Sequence, residues 1–151
     1  MIQVKDVVKS FEGNVVLDHV SANFEDGKVN MIIGQSGSGK TVLMKSMIGL
    51  HTIDSGEIIF DTRQGQQNLA GMNEKEVRML HREVGMLFQG SALFDSMSVI
   101  ENVMYPLEMF SEMANEEMVA RARFCLERVN MPERAFGLMP SEISGGMQKR
   151  V

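Results

Sequence analysis

Apolar and polar positions alternate in short stretches early in the chain, and the period becomes helical further along. Ile2-Gln-Val-Lys5 alternates and predicts a strand. Glu12-Gly13-Asn14 carries a turn signal, and Val15 to Phe24 follows as a second extended, partly alternating segment. Glu25-Asp26-Gly27-Lys28 marks another turn. Val29-Asn-Met-Ile-Ile33 is short and largely apolar, the pattern of a strand buried on both faces. Val42 to Leu50 suits a buried helix, and Gly56-Glu-Ile-Ile-Phe60 a further strand. Residues 61–72 are polar and rich in Gly and Gln, which predicts a loop.

Asn73-Glu-Lys-Glu76 has the spacing of a helix N-cap with a Glu three residues on, so a helix is expected to about His81. Val84-Gly-Met-Leu-Phe88 reads as another apolar strand. Ser98 to Phe110 reads as a helix that Pro106 kinks or divides. The clearest helix is Asn115 to Val129. Met118, Val119, Ala122, Cys125, Leu126 and Val129 share one of its faces. Asn115 is placed to cap it, and Glu117 and Arg121 form an i,i+4 pair on the polar side.

Composition narrows the classes. A chain of 151 residues is one domain by default, and 44% hydrophobic residues suffice for a core. A net charge of −5 leaves no broad basic face, so no nucleic-acid partner is expected. One cysteine, Cys125, excludes an internal disulfide framework and fits a reducing cytosol. It sits in the apolar stripe, where a core role outweighs a nucleophilic one. His19, His51 and His81 lack metal-ligand spacing and read as structural or surface residues. The 15 methionines read as flexible core filler. No apolar run approaches the ~20 residues of a membrane-spanning helix, and the N-terminus lacks the apolar core of a signal peptide.

One stretch carries chemistry by itself. Gly34-Gln-Ser-Gly-Ser-Gly-Lys-Thr41 matches G-x-x-x-x-G-K-[ST] in full, after an apolar strand pattern and before a helix. Glycines let the backbone curl so that successive N–H groups face an anion. The helix start adds partial positive charge. Lys40 supplies a compact cation for the β- and γ-phosphates, and Thr41 a hydroxyl for Mg²⁺. The motif points to a nucleoside triphosphate with Mg²⁺. No Asn-Lys-x-Asp occurs, so nothing argues for guanine recognition.

Further stretches give a family resemblance over all 151 residues. They are Lys9-Ser-Phe11, the phosphate loop, Val84-Gly-Met-Leu-Phe-Gln89 with Ala92-Leu-Phe94 and Ser98-Val-Ile-Glu-Asn-Val103, and Ser144-Gly-Gly-Met147. Together the chain resembles the ATP-binding subunit of an ABC transporter. The last stretch is similar to the family signature Leu-Ser-Gly-Gly-Gln, with Ile143 for Leu and Met147 for Gln.

The resemblance implies an α/β P-loop NTPase fold with an antiparallel β subdomain and a helical subdomain, the latter over roughly 90–143. It implies that Phe11 stacks on adenine and that ATP rests on Gly34, Gln35, Ser36, Gly37, Ser38, Gly39, Lys40, Thr41 and Val42. Gln89 would reach Mg²⁺ and the attacking water. Ser144, Gly145 and Gly146 would cover ATP bound to a second, head-to-tail copy. Lys40, Gln89 and Ser144 are the residues closest to the chemistry, and Thr41 and Gln89 the metal contacts. The Asp-Glu strand end that carries the family's catalytic Glu is not found, so the sequence reads as the first part of a longer protein, cut just after the signature.

A transmembrane permease is the implied partner, met through Ser91 to Leu107, with the subunit cytoplasmic and peripheral on the inner face of the cell membrane. The Met in the signature, Thr41 to Leu50 and Ser98 to Leu107 resemble the subfamily serving phospholipid and lipid-asymmetry transporters. An amino-acid or other small-solute importer, or a non-transport ATPase of DNA repair or translation, is the alternative. The short segment between Gln89 and the signature argues against the DNA-repair type.

Overall fold

A computed structural model describes residues 1–62 and 65–151, which form two compact units, Met1–Gly85 and Met86–Val151. In the first unit, β1 (Ile2–Phe11), β2 (Asn14–Phe24), β3 (Ser55–Thr62) and β4 (Gly65–Asn68) make an antiparallel sheet ordered β2-β1-β3-β4. Helix α1 (Lys40–Met47) contributes Leu43 and Met47 to the core beside Val4, Val7, Leu17, Ile58 and Phe60. Leu80 of α2 (Glu74–Glu83) completes it.

The buried positions Val4 and Val7 are three apart, which breaks a period of two. The cause is a bulge. Asp6 has φ 52° and the β1–β2 register shifts between Val4 and Val7; His19, with φ 49°, lies at the next shift, between Val7 and Lys9. His19 Nδ1 and Asp6 Oδ1 lie 2.8 Å apart, so a side-chain contact links the two left-handed residues. On β3, Gly56 has φ 92°, and a Cβ there would lie 2.4 Å from the Asp6 carbonyl oxygen. Only glycine fits against the bulge.

Two expectations for this unit are corrected. Residues 61–72 are not a loop throughout. Asp61 and Thr62 finish β3, and Gly65–Asn68 pairs with it from Ile59↔Asn68 to Thr62↔Gly65. A single 3₁₀ turn follows at Leu69–Gly71, where Asn68 Oδ1 accepts from the Ala70 N–H at 3.1 Å. Polar side chains are tolerated because β4 is an edge strand; residues 63 and 64 of that expectation lie outside the described residues.

Val29–Ile33, expected as a doubly buried strand, is not a strand. Val29, Met31 and Ile33 are 95%, 79% and 82% exposed, while Ile32 packs against the core. Among the described residues no strand pairs with this segment, so its backbone lacks a ladder. Val84–Phe88 likewise forms no strand, and Leu87 is 67% exposed.

The second unit holds α3 (Val99–Phe110), α4 (Asn115–Arg128) and the short α5 (Gly145–Gln148) around Val99, Leu126, Met131, Ala135, Phe136 and Ile143. Ser98 caps α3 in a capping box with Glu101. That bond from the Ser98 hydroxyl, with the Ser98 backbone N–H, holds the Glu101 carboxyl below its usual range. Pro106 lies within α3 without dividing it. The N–H it lacks would have met the Asn102 carbonyl, and the bond from Ser111 N–H to Leu107 O at 2.9 Å carries the helix past it.

Helix α4 is capped at Ala114, not Asn115. The Glu117 carboxylate accepts the Ala114 N–H at 3.2 Å and replaces a capping side chain. Glu117 is therefore not committed to Arg121, which lies over the Phe124 ring, 5.6 Å from its centroid. Ala122 and Leu126 are buried and Cys125 half-buried, as the stripe predicts, while Val129 falls beyond the helix and is exposed.

Candidate nucleotide site

The phosphate loop lies in the first unit, between the exposed Met31–Ile33 segment and α1. Gly37 and Gly39 have φ 81° and 84°, in the left-handed region that glycine alone enters cheaply. Gly39 is doubly constrained: a Cβ there would lie 2.8 Å from the Val16 carbonyl oxygen and 3.1 Å from the Leu17 side chain. It is also the N-cap of α1, so the turn that starts the helix is packed directly onto β2. No capping side chain takes up the first-turn N–H groups of α1, which leaves them for an anion.

Lys40 Nζ donates to the Gly34 carbonyl at 2.8 Å and to the Gln35 carbonyl at 2.6 Å. The ammonium therefore bridges the first residues of its own loop. Ser38 N–H closes a turn on the Gln35 carbonyl at 3.3 Å. Val16, Gly37, Ser38, Gly39, Lys40, Thr41 and Val42 line a shallow cavity of about 160 Å³. Ser36 and Thr41 are exposed. Of the predicted loop residues, Gly37 to Val42 line this concave surface, while Gly34 and Gln35 enter only through their carbonyls, which hold Lys40.

Phe11 ends β1 at the hairpin with Asn14 and is 39% exposed. Its ring meets His51 nearly at right angles (77°), with centroids 5.4 Å apart. Lys9 Nζ lies over the Phe11 ring, 5.2 Å from its centroid.

The other predicted residues lie in the second unit. Gln89, Gly90, Ser91, Gly145, Gly146, Gln148 and Lys149 line one cavity of about 390 Å³. Ser144 caps α5, its Oγ accepting the Met147 N–H at 3.3 Å. The Met147 side chain packs against the core, so the residue that departs from the signature acts as an anchor. Gln148 Nε2 donates to the Pro140 carbonyl at 2.7 Å, and Arg150 donates to the Asn130 carbonyl at 3.0 Å. The basic residues after the signature thus divide: Arg150 ties α5 to the end of α4, and Lys149 faces the cavity. Gly145 and Gly146 differ from the phosphate-loop glycines. Neither has positive φ, and a Cβ on either would meet nothing within 4 Å. Nothing in the fold of this chain requires glycine at either position.

The sequence reading missed Lys9, His51 and Asp54 beside Phe11, and Lys149 beside Gln89. Lys9 stands in the quoted Lys9-Ser-Phe11 stretch without a role of its own, and the proximity of the others is set by tertiary packing that no local motif marks. No helix of the described residues is long and apolar enough to cross a membrane, and no group of three His, Cys, Asp or Glu among them could hold a metal.

Comparison with known proteins agrees with the loop. A family model described as ABC transporter matches residues 17–151. The chain belongs to the ABC transporter family. This family member is 36% identical over 151 residues to a methionine import ATP-binding protein of Clostridium acetobutylicum, covering 45% of that protein. It is 34% identical over 150 residues to the intermembrane phospholipid transport system ATP-binding protein of Escherichia coli K12, covering 54% of it.

A dimeric ATP-binding cassette solved in a post-hydrolysis state with ADP and phosphate superposes with a TM-score of 0.88 at 29% identity. The match covers 99% of this chain and 66% of that one. The ABC-type cassette fold expected from the motifs is therefore the fold of the chain. The chain spans about half the length of the curated relatives it matches.

Proposed function

We propose that this ABC family chain belongs to a subunit that binds ATP–Mg²⁺ and couples its hydrolysis to transport. The observation that carries the proposal is the phosphate loop. Two left-handed glycines, an open helix N-terminus and Lys40 converge on one concave surface. The polyanionic tail of ATP fits that surface by charge and by donor geometry. ATP rests on residues 34–42 with its base on Phe11, and Thr41 approaches the Mg²⁺. The general base and the second metal carboxylate are assigned to no residue of this chain, and the 151 residues by themselves turn over no ATP.

Ser144, Gly145 and Gly146 serve ATP on a second copy, head to tail. Two exposed glycines with free space above them suit close approach by a phosphate held elsewhere. The dimeric state of the solved cassette supports the same reading. The helical segment over roughly 90–143 meets a permease subunit through Ser91 to Leu107, which places the protein at the cytoplasmic face of the membrane. The cargo is phospholipid, by similarity to the intermembrane phospholipid transport protein. Methionine or another small solute is the alternative, by the comparable similarity to the methionine importer.

A shared site has a distinctive test. In the intact protein, Lys40→Ala and Ser144→Arg each disable both sites of their own dimers. A mixed dimer pairs the intact loop of one protomer with the intact signature of the other. Mixing the two inactive proteins is expected to restore ATPase activity; no recovery, with exchange of protomers verified, overturns the head-to-tail reading.

A further inference from the structure

Phe11 is not a free surface ring. Lys9 lies over it at 5.2 Å, and the Lys9 side chain is only 12% exposed. The ammonium is held by Asp54 Oδ1 at 3.0 Å, and Asp54 Oδ2 accepts the Ser10 N–H at 2.6 Å. The Asp54 N–H in turn donates to the Val8 carbonyl at 2.8 Å. The loop before β3 is therefore fastened to the end of β1 on both sides of Lys9. From that same loop His51 meets the Phe11 ring at 77°. The ammonium bond to Asp54 and the Ser10 N–H hold the Asp54 carboxyl below its usual range, as expected of a lasting contact at neutral pH.

We propose that Lys9, fixed by Asp54, and His51 are positioning residues that clamp the Phe11 ring so that its remaining exposed surface is a preset plate for the base of the nucleotide. The inference rests on the reading of Phe11 as the base-stacking residue and deepens it. An unclamped ring would pay side-chain entropy each time a base stacked on it. A clamped ring has already lost that freedom on folding. The attraction between the ammonium and the ring adds to the hold, and the low exposure of Lys9 limits competition from water. The clamp acts on the base alone, because none of its members lines the phosphate-loop cavity.

That separation sets the experiment. Binding of ATP–Mg²⁺ and of inorganic tripolyphosphate–Mg²⁺, which has no base, is measured by calorimetry on the intact protein. Lys9→Met and His51→Leu are each expected to weaken ATP by about threefold to tenfold, with tripolyphosphate unchanged and the melting temperature retained. Lys9→Arg, which keeps the charge over the ring, is expected to retain the wild-type preference for ATP. Asp54→Asn, which keeps an acceptor for Ser10 but loosens Lys9, is the second variant should Lys9→Met not fold, and is expected to behave like it. Phe11→Leu is the reference. If it loses the preference while Lys9→Met and His51→Leu keep it, the clamp is overturned and the role of Phe11 stands. If Phe11→Leu keeps the preference as well, the base-stacking reading fails and the clamp with it.

Discussion

Glycine at position 39 illustrates how one residue joins fold and site. Its φ of 84° and the Val16 carbonyl 2.8 Å from a would-be Cβ act together. Gly39→Ala must strain the backbone or push the loop off β2, at a cost of about 1–3 kcal/mol. The expected outcome is a lowered melting temperature together with weakened ATP binding. An unchanged melting curve would mean that the loop relaxes freely. Gly145 and Gly146 make the opposite case, since alanine fits both positions in the chain by itself. Two motifs marked these three glycines in the sequence. Which were needed by the backbone and which were free of local constraint became visible only with the structure.

At the scale of elements, local chemistry was legible and pairing was not. The capping box of α2 forms as its spacing predicts: Asn73 Oδ1 accepts the Glu76 N–H at 3.1 Å, and Glu76 Oε2 accepts the Asn73 N–H at 2.7 Å. Asn73→Ala should destabilise by about 1 kcal/mol, read as a shift in the denaturant midpoint, with Asn73→Ser close to wild type. The helices α1 to α4 were placed within a few residues for the same reason, since each carries its signals within a few turns of chain. The strands at Val29–Ile33 and Val84–Phe88 failed because apolar runs record a wish for burial and name no partner. The bulge at Asp6 was hidden because its cause lies partly in Gly56, on another strand. The phosphate loop was readable as a contiguous motif, whereas the Lys9–Asp54 contact joins residues 45 positions apart.

On the scale of the whole molecule, each unit carries exposed apolar residues on backbone that no ladder fills. Val29, Met31, Ile33 and Leu87 are each more than two-thirds exposed or close to it, along backbone with unpaired N–H and C=O groups. Such segments template association with other chains. The 151 residues expressed alone are expected to self-associate at micromolar concentration, as seen by sedimentation, and Ile33→Lys with Leu87→Lys should reduce it. A monodisperse monomer without these changes would contradict this.

The central claim is that residues 34–42 hold the phosphates of a nucleotide, with Lys40 as the essential cation. Titration calorimetry of ATP–Mg²⁺ into the intact protein and its Lys40→Ala variant tests it most directly. The account predicts saturable binding by the wild type and a loss of at least about tenfold in the variant, with folding unchanged. Equal affinity in the two proteins would contradict it.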